Sequence, residues 1–111
     1  MSRFTFRLYA LSLEAVRLVG PRAVEVARCD ADLARQLRRA ITSVHLNVAE
    51  AMDAEGRLRH LRYRTALGSA NESIAALEAA EALGYVERDA VALDKLQHVR
   101  ATLLRLVMRK G

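Results

Sequence analysis

At 111 residues, 52% of them apolar but with two Phe, three Tyr and no Trp, the chain must build its core from Leu, Val and Ala. That is the composition of close-packed helices, and it argues against a sheet. A single cysteine, Cys29, excludes an intrachain disulfide and suits a reducing compartment, so a cytoplasmic protein is expected.

The net charge is +5, and Lys95 and Lys110 are the only lysines among eighteen bases. Arginine suits planar contacts with phosphate or carboxylate. A GC-rich coding sequence also enriches Arg together with Ala, so composition alone does not point to nucleic acid. Charges interrupt every apolar run well before the ~20 residues that a membrane span needs, and no membrane contact is expected.

In chain order, Leu8, Leu11, Ala15 and Leu18 recur at three- and four-residue steps, with Tyr9, Leu13 and Val16 beside them. This spacing predicts a helix over about 4–27. Gly20-Pro21 is the strong breaker, since Pro removes a donor and crowds the preceding turn. Val24 and Val26 resume at once, so the reading is a kinked helix, with a true break at Pro21 as the alternative.

Cys29-Asp30-Ala31-Asp32 supplies a turn and an N-cap. Leu33, Leu37, Ile41, Val44, Val48 and Met52 then predict a second helix over about 32–52. After the turn at Asp53-Ala54-Glu55-Gly56, a third helix is predicted over about 57–83, burying Tyr63, Ala66, Leu67, Ala70, Ile74 and Leu77. Its many Ala, Ser and Gly residues, Gly68 among them, predict close approach to a neighbouring helix.

Gly84 fits the C′ position of that helix, with Tyr85 and Val86 folding back on it. Ala92, Leu96, Val99, Leu103 and Leu106 predict a fourth helix over about 89–109. Four amphipathic helices joined by short connections predict the all-α class. The expected architecture is an antiparallel up-down four-helix bundle, with 1–111 as one domain. Apolar arcs wider than one neighbour requires predict a homo-oligomer, a generously packed monomer being the alternative.

Two polar stripes border the apolar ones. Gln36, Arg39, Ser43, Asn47 and Glu50 step along the second helix, and Arg62, Thr65, Ser69 and Glu72 along the third. Di-iron bundles need Glu-x-x-His ligand pairs, and neither Glu50 nor Glu72 has a His three residues on. Nucleophilic catalysis at Ser43 or Ser69 needs a base within reach, but His45 lies about 200° around the helix from Ser43.

His45, His60 and His98 fall on separate helices without ligand spacing, and Cys29 has no second thiol beside it. No catalytic residue, metal or cofactor is therefore assigned. The stripes are read as a structural polar seam of Gln36, Arg39, Ser43, Asn47, Glu50, Ser69 and Glu72, which fixes helix register when its partners are satisfied.

Topology turns the bulk charge into a located one. In an up-down bundle both termini share an end with the turn between the second and third helices. That end collects Arg3, Arg7, Arg57, Arg59, Arg62, Arg64, Arg105, Arg109 and Lys110 against Glu50, Asp53 and Glu55, about +6. The opposite end comes to about −2. Subunits stacked in parallel would form a basic rim able to bind phosphate backbones with little sequence preference. Docking of an acidic protein and plain solubility charge are the competing readings.

The segment Gln36-Leu37-Arg38-Arg39-Ala40, followed by Ser43-Val44-His45-Leu46-Asn47-Val48-Ala49-Glu50-Ala51, resembles the signature of the bacterial four-helix-bundle proteins of 23S rRNA intervening sequences. Ala66-Leu67-Gly68-Ser69-Ala70-Asn71-Glu72-Ser73 and Ala82-Leu83-Gly84-Tyr85 resemble the family's third-helix pattern and its closing LGY. The resemblance spans about residues 30–86.

It implies a compact bundle, often a homopentamer with a central channel. It also implies similarity in fold to the accessory variability determinant of diversity-generating retroelements, a basic pentamer that works with a reverse transcriptase and nucleic acid. Arg39, Ser43, Asn47, Glu50, Ser69 and Glu72 occupy the family's characteristic positions, none of them marked as catalytic by the pattern. Ala51 stands where the family usually has Gly, which predicts that the second helix continues a little into Asp53.

Overall fold

A computed structural model of the chain describes residues 3–109. Four helices follow one another: α1 (Arg3–Ala27), α2 (Ala31–Met52), α3 (Gly56–Ala82) and α4 (Ala90–Met108). Each packs on its neighbours in sequence, and α4 closes the ring on α1. The connections are too short to cross the molecule, so consecutive helices reverse direction and the architecture is an antiparallel up-down bundle. Its long dimension is 42 Å, about the length of a 27-residue helix such as α3.

The helix starts are capped as side-chain chemistry dictates. The Asp30 carboxylate accepts the Leu33 N–H at 2.9 Å, and that of Asp89 accepts the Ala92 N–H at 3.0 Å. α3 ends in a full Schellman closure: the Tyr85 N–H donates to the Ala80 carbonyl and the Gly84 N–H to that of Glu81. Gly84 sits at φ +78°, where a Cβ would strain the backbone. Val86 then folds back onto Val26, Ala34 and Ala80, a small apolar cluster that seals this end.

α1 stays helical across Gly20 and Pro21, so the break at Pro21 is not realised. Proline costs the donor to the carbonyl four residues back, but Arg17 and Pro21 are both exposed, and water can serve that carbonyl. α2 stops at Met52. Asp53 caps it rather than extending it, and Ala51 is fully buried.

The core line of α1 is turned slightly from the expected one. Leu8 and Ala15 are buried as predicted, but Ser12 and Val19 take the centre while Leu11 and Leu18 flank it half-buried. Two apolar stripes lie side by side on this helix, and which one faces inward depends on how α2 and α4 cradle it. Leu37, Ile41, Val44 and Val48 of α2 meet Tyr63, Ala66, Ala70, Ile74 and Leu77 of α3, as the spacing predicted. Gly68 is no part of that close approach: it is exposed, and a Cβ there would meet nothing within 4 Å. The small residues that let α3 pack inward are Ala66, Ala70, Ser73 and Ala80.

Candidate nucleic-acid interface

Contacts at each end of the bundle locate its charges. His60, near the start of α3, lies 2.8 Å from the Val107 carbonyl at the end of α4, and its Nε2–H donates to that oxygen. Arg7 of α1 and Arg105 of α4 line one small hollow with Phe4 and His98. The start of α1, the start of α3 and the end of α4 therefore meet, as the topology requires. At the far end, Arg22 of α1 reaches Asp89 before α4 at 3.6 Å.

The structure separates the expected basic residues into two groups. Arg59 is spent on the fold: its Nε–H donates to the Ala54 carbonyl at 2.8 Å and the Ala51 carbonyl at 3.2 Å, closing the end of α2. Arg62 pairs with Glu50 at 3.5 Å. Arg3, Arg7, Arg57, Arg64, Arg105 and Arg109 are exposed and make no ion pair among the described residues. Lys110 lies outside the described residues. Exposed Phe4, Phe6, Leu58, Leu61 and Met108 stand among these bases.

The polar stripes of α2 and α3 meet along one face of the bundle. At its centre the Ser69 and Ser43 hydroxyls are 2.8 Å apart. The Asn47 amide donates to both the carbonyl and the hydroxyl of Ser43, at 2.9 and 3.2 Å. Of these bonds the Ser69–Ser43 one crosses between the helices, whereas Asn47, 9% exposed, bonds within α2.

The flanks of the stripe differ from its centre. Gln36 turns to Asp32 on its own helix, Thr65 donates to the Leu61 carbonyl, and Arg39 and Glu72 are exposed without a partner among the described residues. Two adjoining hollows open over the stripe. The larger, about 550 Å³, runs from Arg38 and Arg39 past Leu46 to Glu50, Arg62 and Thr65. The smaller, about 370 Å³, is lined by Gln36, Arg39, Ala40, Ser43, Ser69 and Glu72.

One pair lay outside the sequence reading. His45 does point away from Ser43, but its Nδ1 lies 2.8 Å from the hydroxyl of Ser12 on α1, with the Tyr9 ring 4.7 Å from its own. The Ser12 hydroxyl already donates to the Tyr9 carbonyl at 2.9 Å, so His45 donates to Ser12 through Nδ1–H. An imidazole in that tautomer is no base toward Ser12, and Ser12 is fully buried. The pair ties α1 to α2. The only signal in the sequence was a serine on an apolar stripe, and spacing does not say which residue of another helix faces it.

Burial holds the His45 imidazole below its ordinary value of 6.5. The unfolded chain takes up a proton near 6.5 while the fold resists it, so this contribution is complete above 6.5 and declines as pH falls below. Thermal unfolding of the parent is expected to show that decline, and His45→Gln to flatten it. A decline of the same slope in the variant would assign it to another group.

Among the described residues, no group of three His, Cys, Asp or Glu side chains is placed to hold a metal ion. No helix among them is long and apolar enough to cross a membrane.

With this fold and face in place, the family model described as 23S rRNA-intervening sequence protein matches residues 12–105. The chain belongs to that family. The match includes the α2 and α3 segments that carry the polar seam, together with most of α1 and α4. A solved structure from Bacteroides thetaiotaomicron, described as a protein with unknown function from the S23 ribosomal protein family, superposes with a TM-score of 0.82. It is 24% identical, and the alignment covers 92% of this chain and 99% of that one, a likeness of fold. No curated protein matches the chain.

Proposed function

We propose that this member of the 23S rRNA-intervening sequence family is a non-enzymatic, oligomeric adaptor. Its basic end binds the RNA or DNA backbone with little sequence specificity, alongside a nucleic-acid enzyme such as a reverse transcriptase. The observation that carries the reading is the group of six exposed arginines, without an ion pair among the described residues, where the start of α1, the start of α3 and the end of α4 converge. Guanidinium groups in this state bind phosphates and release the counterions condensed on a nucleic acid. A homo-oligomer, a pentamer by the family resemblance, multiplies that end into a rim and raises avidity without new contacts.

Aromatic side chains near the bases are few, so contact is mainly with the backbone. The test is fluorescence anisotropy with labelled oligonucleotides of unrelated sequence as salt rises from about 50 to 200 mM. Affinity is expected to fall linearly with salt on logarithmic axes, at similar slope for each sequence. Absence of binding at low salt overturns the reading.

The exposed Phe4, Phe6, Leu58, Leu61 and Met108 favour a second reading, a scaffold that docks a protein partner on the same end without nucleic acid. Co-purification of a partner that survives nuclease treatment and high salt would select it.

A further inference from the structure

The seam on the α2–α3 face carries a donor that the fold does not use. Ser43 and Ser69 bring two hydroxyl protons, and their mutual 2.8 Å bond consumes one. The Asn47 amide N–H donates into Ser43 and the Ser73 hydroxyl donates to the Ser69 carbonyl, and neither group accepts from the serine pair among the described residues. With Ser69 donating to Ser43, the Ser43 O–H makes no hydrogen bond among the described residues, beside the smaller hollow that both serines line.

Arg39 lines that hollow and the larger one, and neither it nor Arg38 makes an ion pair among the described residues. The carboxylate of Glu72, without a partner among the described residues, lines the smaller hollow with Arg39. Glu50 neutralises Arg62, so the groove as a whole holds three bases against two acids.

These groups specify a ligand by its chemistry. A guanidinium and a hydroxyl donor side by side suit an oxyanion. The small excess of positive charge suits one negative charge rather than two. An unpartnered carboxylate next to that site needs a hydroxyl donor on the ligand, since a second anionic oxygen there is repelled. A phosphodiester with its adjoining ribose meets all three demands. DNA meets only the first two, because it lacks the 2′-hydroxyl.

We infer that the α2–α3 groove is an RNA subsite. Arg39 and the Ser43–Ser69 pair hold one phosphodiester, and Glu72 accepts the neighbouring ribose 2′-hydroxyl. The inference rests on the nucleic-acid reading of the basic end and deepens it. The larger hollow runs from this subsite to Arg62 on the first turns of α3, and so joins the groove to that end.

The test compares a single-stranded oligoribonucleotide with the oligodeoxyribonucleotide of the same sequence, on the full chain at fixed salt, with a ribodinucleoside monophosphate, which carries a single phosphodiester, as competitor. RNA is expected to bind about 10-fold more tightly than DNA, the value of one charged hydrogen bond. Glu72→Gln is expected to bring RNA and DNA within about twofold without weakening DNA, and Arg39→Ala to weaken both. Both residues are exposed, so the variants fold, which thermal unfolding verifies.

Displacement of the strand by the dinucleotide at concentrations near those of the strand's own phosphates assigns the subsite to a single phosphodiester. Failure of that competition assigns it to a strand held at several points. In either case the phosphodiester and the 2′-hydroxyl are the groups recognised. Equal affinity for RNA and DNA in the parent, with salt dependence intact, overturns the subsite and leaves the basic end standing. A preference for RNA that survives Glu72→Gln also overturns it, and binding of neither strand overturns both readings.

Discussion

The triple variant Arg57→Glu, Arg64→Glu, Arg105→Glu is expected to bind oligonucleotides on the order of 100-fold more weakly than the parent at about 50 mM salt. Each exposed guanidinium contributes up to ~1 kcal/mol to a phosphate contact, and three lost contacts convert to that factor before repulsion is counted. The salt dependence is the sharper readout. Each phosphate contact adds about 0.9 to the logarithmic slope, so removing three should lower it by about 3 whatever the sequence.

The choice of residues follows from the structure. Arg57, Arg64 and Arg105 are exposed and make no ion pair among the described residues, whereas reversing Arg59 would also remove the two hydrogen bonds that close α2. Lost affinity in an Arg59 variant would therefore confound binding with folding. Anisotropy titrations at three or more salt concentrations, with circular dichroism to verify helicity, decide the matter. An unchanged slope would remove these arginines from the interface.

The second large effect is on stability. Leu96→Ala is expected to cost about 2–5 kcal/mol, a large share of the 5–15 kcal/mol typical of a small domain. Leu96 is fully buried on α4 within the main core, and the ring of four helices leaves little freedom to close the cavity. Leu46→Ala on the exposed face of α2 is the control. Its side chain is 54% exposed, and a change within about 0.5 kcal/mol is expected. Urea denaturation of both variants measures the contrast. Equal losses would mean that a partner surface covers Leu46, the result expected if the α2–α3 face lies between subunits.

The same contrast shows why some of this molecule was legible in its sequence and some was not. The unbroken steps of Leu37, Ile41, Val44 and Val48 mark the inner face of α2 with no competing stripe, and all four are buried. α1 offers two apolar stripes of similar strength, and the expected centre at Leu11 and Leu18 yields to Ser12 and Val19. A helix reports its own periodicity. Its rotation about the axis is settled by the helices it packs against.

The polar seam divides along the same line. Spacing alone placed Ser43, Asn47 and Ser69 on facing borders, and there the Ser69–Ser43 hydrogen bond joins the two helices while Asn47 bonds within α2. It did not separate these residues from Arg39 and Glu72, which share the stripes yet have no partner among the described residues and lie over an open hollow. Stripe membership fixes an angle around one helix, whereas a hydrogen bond needs the partner helix at the right distance and height.

By itself, then, the sequence determined the all-α class, the four helices with the caps at Asp30 and Gly84, and the family signature on α2 and α3. Those are local properties, written in propensity, period and motif. Tertiary structure alone decided which arginines have no ion pair among the described residues, that Arg59 serves the fold, that Ser12 meets His45, and that Ser69 donates to Ser43 beside Arg39. Each depends on where one helix stands against another, which no single helix encodes.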